Sequence, residues 1–238
     1  MNPIIELKSV TSGYPGRESI LNGLDFHLEA GERVGLIGPN GCGKSTLLHT
    51  IMGLVPVRSG EVRLFGAPVA TEAEFHKARL RLGFLFQHAD DQLFSPSVLE
   101  DVAFGPLNQG LPRDQALDVA QATLDELGLR GFEDRVPYKL SGGEKKLAAL
   151  ATILAMKPEA LLLDEPTTGL DTKTKGRILE ILNGLEIAFL VVSHEPDFLT
   201  EVTNTLVSLR DGKVRRTEAT PHTHVHVHLG GEEPHRHE

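Results

Sequence analysis

The residues most clearly suited to chemistry form a glycine-rich segment, GPNGCGKST, at residues 38–46. It matches the pattern G-x-x-x-x-G-K-[ST], which follows a strand and opens a helix in nucleotide-binding proteins. Glycines let several backbone N–H groups point at one phosphate, and the start of a helix adds partial positive charge. Lys44 would reach the β- and γ-phosphates, and the Ser45 hydroxyl would ligate Mg²⁺. The alternative, a glycine-rich turn with a chance lysine, is disfavoured because an apolar strand-like run, VGLIG, precedes the loop.

The candidate nucleotide-binding residues therefore span the whole loop, with ATP and Mg²⁺ as the expected cofactors. Cys42, the only cysteine, lies inside this loop. We interpret it as a small side chain that the tight loop can accommodate. The alternative is a thiol made reactive by the electropositive site. The loop residues are Gly38, Pro39, Asn40, Gly41, Cys42, Gly43, Lys44, Ser45 and Thr46.

A pair of acidic residues supplies the second chemical element. In ALLLDEP, Asp164 and Glu165 end an apolar run that is typical of a buried strand. Adjacent carboxylates repel each other, so a pair at this position favours a functional interpretation over a solvated strand end. Asp164 would hold Mg²⁺ through water, and Glu165 would orient or deprotonate the attacking water.

The elements that must position these residues alternate between strands and helices. We expect strands in the first third, a helix over 112–128 and another beginning at Ser141. A strand at 160–164, a helix at 172–184, a strand at 187–193 and a hairpin near 210–213 follow. This alternation predicts an α/β fold with a parallel sheet.

The segment LSGGEKK at 140–146, taken with the two motifs above, resembles the signature of ABC-type ATPases, the nucleotide-binding subunits of transporters. The resemblance covers roughly residues 1–215. It implies a P-loop NTPase fold with a RecA-like parallel sheet core and an antiparallel β subdomain. A helical subdomain would be inserted at about 88–155.

The same resemblance implies further site residues. Tyr14 would stack on adenine, Gln87 would sense Mg²⁺ and the attacking water, and His194 would contact the γ-phosphate. Asp171 would bridge two subunits in a homodimer or a heterodimer with a sister ATPase. One subunit's signature would close on the other subunit's nucleotide through Leu140, Ser141, Gly142, Gly143 and Glu144. Glu144 stands where glutamine is commoner, which affects the fine geometry of that contact.

The stretch QHADDQLFSPSVLEDVAFGPLNQGLP resembles energy-coupling-factor importers of vitamins or transition metals, in particular the cobalt and nickel members. The resemblance implies a transmembrane coupling subunit and a substrate-binding membrane component as partners. Leu93, Phe94 and Phe104 would offer apolar contacts to that subunit, and Asp90 and Asp91 would pair with its basic residues. The alternative places both phenylalanines in the core of the helical subdomain.

Composition narrows the functional classes. The net charge of −9 argues against nucleic acid as a partner. A single cysteine fits a reducing cytoplasm, and the longest apolar run, LAALATILAM, is about half of the ~20 residues needed to span a bilayer. The resemblance to transporter ATPases implies a peripheral protein, held on the cytoplasmic face of the membrane by membrane subunits. The alternatives are a vitamin importer, a soluble ABC ATPase without a transport role, and a regulatory module without turnover.

Residues 216–238 form a His-rich segment that we expect to be a flexible C-terminal tail. In an extended chain, histidines two apart lie on one side at roughly 6–7 Å spacing. Neutral imidazoles are good ligands for nickel, cobalt or zinc. The alternative is a tail whose composition has no function. The candidate metal ligands are His222, His224, His226, His228, His235 and His237.

Overall fold

The computed structural model describes residues 3–216 of the 238-residue chain. The candidate metal-binding histidines of the tail lie outside the described residues. The described strands are β1 Ile5–Ser12, β2 Leu21–Leu28, β3 Arg33–Ile37, β4 Val57–Leu64, β5 Ala67–Pro68, β6 Leu82–Leu85, β7 Ala160–Asp164, β8 Ala188–Val192, β9 Thr205–Arg210 and β10 Lys213–Arg216. The helices are α1 Lys44–Ile51, α2 Glu72–Arg79, α3 Val98–Asn108, α4 Arg113–Glu126, α5 Gly142–Leu154, α6 Thr172–Gly184 and α7 Pro196–Val202.

A six-stranded sheet in the order β10-β9-β3-β8-β7-β6 carries the functional loops. The five strands from β9 to β6 pair in parallel, and β10 returns antiparallel as the expected hairpin. All residues of β6, β7 and β8 are buried, as expected for parallel strands covered on both faces. The carboxyl ends of the parallel strands therefore meet at one edge, where ligands bind in open α/β sheets.

The alternation of side chains along β7 divides the interior into two cores. Ala160 and Leu162 belong to the core shared with α1 and with the second, four-stranded antiparallel sheet, ordered β2-β1-β4-β5. Leu161 and Leu163 belong to the core on the other face, shared with α3, α4 and α5. This layered arrangement confirms the predicted α/β class with a parallel sheet.

Three helices, α3, α4 and α5, lie between β6 and β7 in the chain and pack against one another. The buried stripe of α4 is Ala116, Ala120, Thr123 and Leu124, and Leu117 beside it is half-buried. Among residues 3–216, no helix is both long and apolar enough to traverse a bilayer.

Two helices were absent from the sequence expectations. Helix α2 starts with a capping box between Thr71 and Glu74 and buries Phe75. Helix α7 has Pro196 in its first turn and buries Phe198. Each spans only about two turns, too short to show helical periodicity against strand-rich surroundings.

Candidate nucleotide site

The glycine-rich loop connects β3 to α1, the context that its motif requires. Gly43 caps α1 with φ of +106°, a conformation that favours glycine, and a Cβ there would lie 2.6 Å from Ile20 Cγ2. Lys44 Nζ donates hydrogen bonds to the carbonyls of Gly38 (2.8 Å) and Pro39 (3.1 Å). These two hydrogen bonds hold the Lys44 ammonium group against the backbone of the loop.

A cavity of about 510 Å³ opens at this loop, at the carboxyl edge of the sheet. It brings together ten of the residues singled out in the sequence. These are Asn40, Gly41, Gly43, Lys44, Ser45, Thr46, Gln87, Asp164, Glu165 and His194. Ile20, Thr168 and Val192 complete its lining.

The two carboxylates at the end of β7 differ in backbone conformation. Asp164 ends the strand, opposite Val192 of β8, and is 3% exposed. Glu165 is 5% exposed and has φ of +48°, a left-handed conformation that residues with a Cβ adopt at a cost of about 1–2 kcal/mol. Strain of this kind is concentrated at functional sites, where the surrounding structure enforces it.

Two neighbours hold the Glu165 carboxylate. Its Oε2 accepts hydrogen bonds from Thr168 Oγ1 (2.8 Å) and from the His194 backbone N–H (3.4 Å). Its Oε1 lies 3.3 Å from His194 Nε2 but has no hydrogen-bond partner among the described residues. The two oxygens are thus held differently, Oε2 by hydrogen bonds and Oε1 beside the His194 ring. Sequence reasoning missed Thr168, although it opens the segment TGLD that ends at Asp171.

Lys146 is a second residue that the sequence reasoning missed. Its side chain is 3% exposed, and burial lowers its pKa to about 8, against the opposing effect of the Asp164 and Glu165 carboxylates. The Nζ atom donates to the backbone carbonyls of Phe86 (3.1 Å) and Gln87 (2.7 Å). The only signal in the sequence was the position of Lys146, five residues after the signature serine, Ser141.

The residues proposed to hold Mg²⁺ fit a hard cation. Ser45, Gln87 and Asp164 line the same cavity and offer hydroxyl, amide and carboxylate oxygens, the ligand types that Mg²⁺ prefers. No cluster of three or more histidine, cysteine or acidic side chains within residues 3–216 has the geometry of a metal site.

Several predicted residues do not line the cavity. Tyr14 is half-buried, and its hydroxyl lies 3.4 Å from His49 Nδ1 on α1. Gly38, Pro39 and Cys42 belong to the loop but are not among the residues that line the cavity. The prediction that Tyr14 stacks on adenine stays a prediction.

The signature residues form the start of α5, away from the cavity of their own chain. Ser141 caps the helix, and a capping box links its side chain and backbone to Glu144, whose Oε2 accepts the Ser141 N–H at 2.7 Å. Leu140 is buried, while Ser141 and Gly142 are exposed. None of residues 140–144 lines the cavity.

Asp171 caps α6 and likewise lies outside the cavity. Its carboxylate accepts hydrogen bonds from the backbone N–H and the hydroxyl of Thr174 (3.0 and 2.7 Å). These bonds lower the pKa of Asp171, the backbone bond most of all. A Cβ added to Gly143 would lie 2.8 Å from Thr174 Oγ1, so the signature packs closely against the start of α6.

Two phenylalanines expected either in a core or at a partner surface are on the surface. Phe94 is 66% exposed and Phe104 is 45% exposed, and their rings meet edge to face at 5.0 Å. Leu93, by contrast, is buried in the helical core, so its expected contact with a partner is wrong. Asp90 pairs with Lys145 of its own chain at 2.6 Å.

Comparison with known proteins decides the family. The family model described as "ABC transporter" matches residues 21–168, more than half of the chain. The chain belongs to the ABC transporter family. This ABC ATPase is 44% identical to the energy-coupling factor transporter ATP-binding protein EcfA of Methanothermobacter thermautotrophicus. The alignment covers 92% of the present chain and 71% of EcfA.

Solved structures of the family share the fold. Clostridium perfringens cbiO1, described as part of the ABC transporter complex cbiONQ, superposes with a TM-score of 0.78 at 30% identity, over 90% of this chain and 88% of that one. The cassette MJ0796, described as a dimeric bacterial ABC transporter cassette, gives a TM-score of 0.81 at 29% identity over 92% and 100% of the two chains. These matches confirm the predicted ABC-ATPase fold, and membership of the family implies ATP hydrolysis.

Proposed function

We propose that this ABC ATPase hydrolyses ATP as a dimer in which the signature of one subunit completes the cavity of the other. The main support is that residues 140–144 do not line the cavity, whereas residues of the phosphate loop and both carboxylates do. A signature at an exposed helix N-terminus can act on a phosphate only in another subunit. The dimeric description of MJ0796 supports this arrangement. Asp171 would lie at the contact between the two subunits.

Within each site, Glu165 acts as general base on the attacking water. Glu165 Oε1, which has no hydrogen bond among the described residues, would accept the proton, and Thr168 holds the other oxygen in place. His194, with Nε2 at 3.3 Å from Oε1, contacts the γ-phosphate and keeps the carboxylate aimed at the water. Tyr14 would stack on the adenine.

The phosphates are held by the loop N–H groups and Lys44, since both lie at the start of α1. Ser45, Gln87 and Asp164, which line the same cavity, would hold Mg²⁺. When bound, the ion neutralises charge that develops on the transferred phosphoryl group.

The ATPase would drive import as the cytoplasmic subunit of an energy-coupling-factor transporter. The EcfA relative supports this assignment. The exposed Phe94–Phe104 pair provides an apolar contact for a transmembrane coupling subunit, which would itself join a substrate-binding membrane component. Nucleic acid is not an expected partner, given the net charge of −9.

Nickel or cobalt is the proposed cargo, and a vitamin is the alternative. The resemblance of residues 87–112 to cobalt and nickel importers and the six histidines of the tail support a metal. Uptake of nickel, cobalt and vitamins should be measured in cells that express the complete transporter with the wild-type chain or with Lys44→Ala. We expect metal uptake that Lys44→Ala abolishes; vitamin uptake with the same dependence would establish the alternative.

The tail would buffer or sense nickel, cobalt or zinc. Deleting residues 217–238 should remove nickel binding, measured by equilibrium dialysis. The rate of ATP hydrolysis should stay unchanged, because no residue of the nucleotide site lies in this segment. Equal nickel binding by the truncated and full chains would show that the tail has no such role.

A further inference from the structure

The ammonium group of Lys146 lies directly beneath the segment that carries Gln87. Lys146 belongs to α5, and its Nζ donates to two successive backbone carbonyls, those of Phe86 and Gln87, 60 and 59 residues earlier in the chain. Two hydrogen bonds to neighbouring carbonyls orient both peptide units at once. They therefore determine the direction in which the chain leaves β6.

Two further contacts join the same segment to α5. Gln92 Oε1 accepts the Phe86 N–H at 3.2 Å, and its Nε2 donates to the Ala149 carbonyl and to Thr152 Oγ1, both at 2.8 Å. Lys145 forms an ion pair with Asp90, whose carboxylate is 72% exposed. Residues 86–92 are thus attached to one helix along their whole length.

The Lys146 contact differs from these others because the Lys146 side chain is buried next to the cavity. Its neighbours there are the carboxylates of Asp164 and Glu165, which favour its charged form. The Gln87 side chain is exposed, lines the cavity and has no hydrogen bond of its own among the described residues. Only its backbone is held, and Lys146 is the side chain that holds its carbonyl.

We propose that Lys146 is a positioning residue for hydrolysis, whose hydrogen bonds to the Phe86 and Gln87 carbonyls aim the Gln87 side chain into the nucleotide cavity. The inference rests on the proposed role of Gln87. A displacement of about 1 Å in a positioned group lowers a rate by roughly 100-fold. Loss of the ammonium group therefore affects turnover more than nucleotide binding, which is due to the loop at α1.

The test compares Lys146→Met with Lys145→Met in the full chain. Methionine has similar length but cannot donate to the carbonyls. We expect kcat for ATP to fall about tenfold in Lys146→Met, with the Kd for ATP within about twofold of wild type. Lys145→Met is the matched control, because a partly exposed ion pair contributes little and kcat should stay within about twofold. The melting temperature of each variant reports on folding.

A double-mutant cycle with Gln87→Ala separates positioning from a general structural effect. If Lys146 acts through Gln87, then Lys146→Met causes no further loss of kcat in the Gln87→Ala background. Additive losses, or a wild-type kcat in Lys146→Met, would overturn the proposal. If Lys146→Met does not fold, Lys146→Gln enters the same cycle, since its shorter amide fills less space and cannot reach both carbonyls.

The outcomes also distinguish this inference from the proposed function. If Gln87→Ala lowers kcat but Lys146→Met does not, only the role of Lys146 fails. If Gln87→Ala has wild-type kcat, the proposed role of Gln87 fails and that of Lys146 fails with it. The roles of Glu165 and Lys44 are tested by other substitutions and stand independently of this cycle.

Discussion

The chemistry of single residues is governed here by how each charged side chain is held. Lys44 is held by loop carbonyls, Glu165 by Thr168, and Lys146 by two carbonyls at the base of the Gln87 segment. The phosphate loop and the acidic pair were predictable because each is defined by consecutive residues. The role of Lys146 was not predictable, because its partners are backbone carbonyls about 60 residues away, and that of Thr168 depends on the conformation of the turn after Glu165.

Lys44→Ala should weaken ATP binding by about tenfold or more, since a charge-assisted hydrogen bond contributes about 1.5–3 kcal/mol. Equilibrium binding of ATP to the full chain measures this. Lys77→Ala, on the exposed face of α2, is the matched control and should bind like wild type. Unchanged affinity in Lys44→Ala would refute the assignment of the phosphate site.

The capping box at the signature predicts a specific stability effect. Glu144→Ala should lower the free energy of unfolding by about 1 kcal/mol, because the Ser141 N–H loses its acceptor. Glu144→Gln keeps an acceptor and should lose less than half of this. Urea denaturation measures both, and a glutamine variant as unstable as the alanine variant would contradict the capping role.

The same residue predicts a pH dependence. The Ser141 backbone N–H, then its side chain, lowers the pKa of Glu144. A carboxyl group with a lowered pKa stabilises the folded state above its unfolded value of about 4.3 and loses that contribution as pH falls through the folded value. The stability difference between wild type and Glu144→Ala should therefore shrink below about pH 4 in urea titrations. A difference independent of pH would contradict this.

At the level of elements, length and periodicity decided what the sequence could predict. Helix α6 was expected at residues 172–184 and lies at Thr172–Gly184, because Asp171 provides an N-cap before a clear amphipathic pattern. The short helices α2 and α7 show no such pattern. Leu93 was assigned to the surface because its burial depends on how α3 and α5 pack, which periodicity does not encode.

Asp101 illustrates packing that only the structure reveals. It is 2% exposed, and its Oδ1 accepts the backbone N–H groups of Phe94 (3.1 Å) and Ser95 (2.9 Å). Asp101→Ala leaves both donors unpaired and should cost about 2 kcal/mol of unfolding free energy. Asp101→Asn, which keeps the acceptor, should cost less than Asp101→Ala. Calorimetry measures both, and an asparagine variant as unstable as alanine would exclude this hydrogen-bonding role.

At the level of the whole molecule, the aromatic pair on the helical region is the clearest candidate contact with a membrane partner. Phe94→Ala should weaken co-purification with the coupling subunit and change the unfolding free energy of the isolated chain by less than about 0.5 kcal/mol, since the ring is largely solvated. Tyr138→Ala, at 73% exposure, is the control and should assemble normally. Normal assembly of Phe94→Ala would place the partner elsewhere.

Two copies of the molecule are needed to join the cavity to a signature, and this is the central claim. Glu165→Gln tests it most directly, because it removes the proton acceptor and keeps the shape of the site. In size-exclusion chromatography with light scattering and Mg²⁺-ATP, we expect the variant to bind ATP, turn over at less than about 1% of the wild-type rate and elute as a stable dimer. Robust turnover, or an ATP-bound monomer, would contradict the claim.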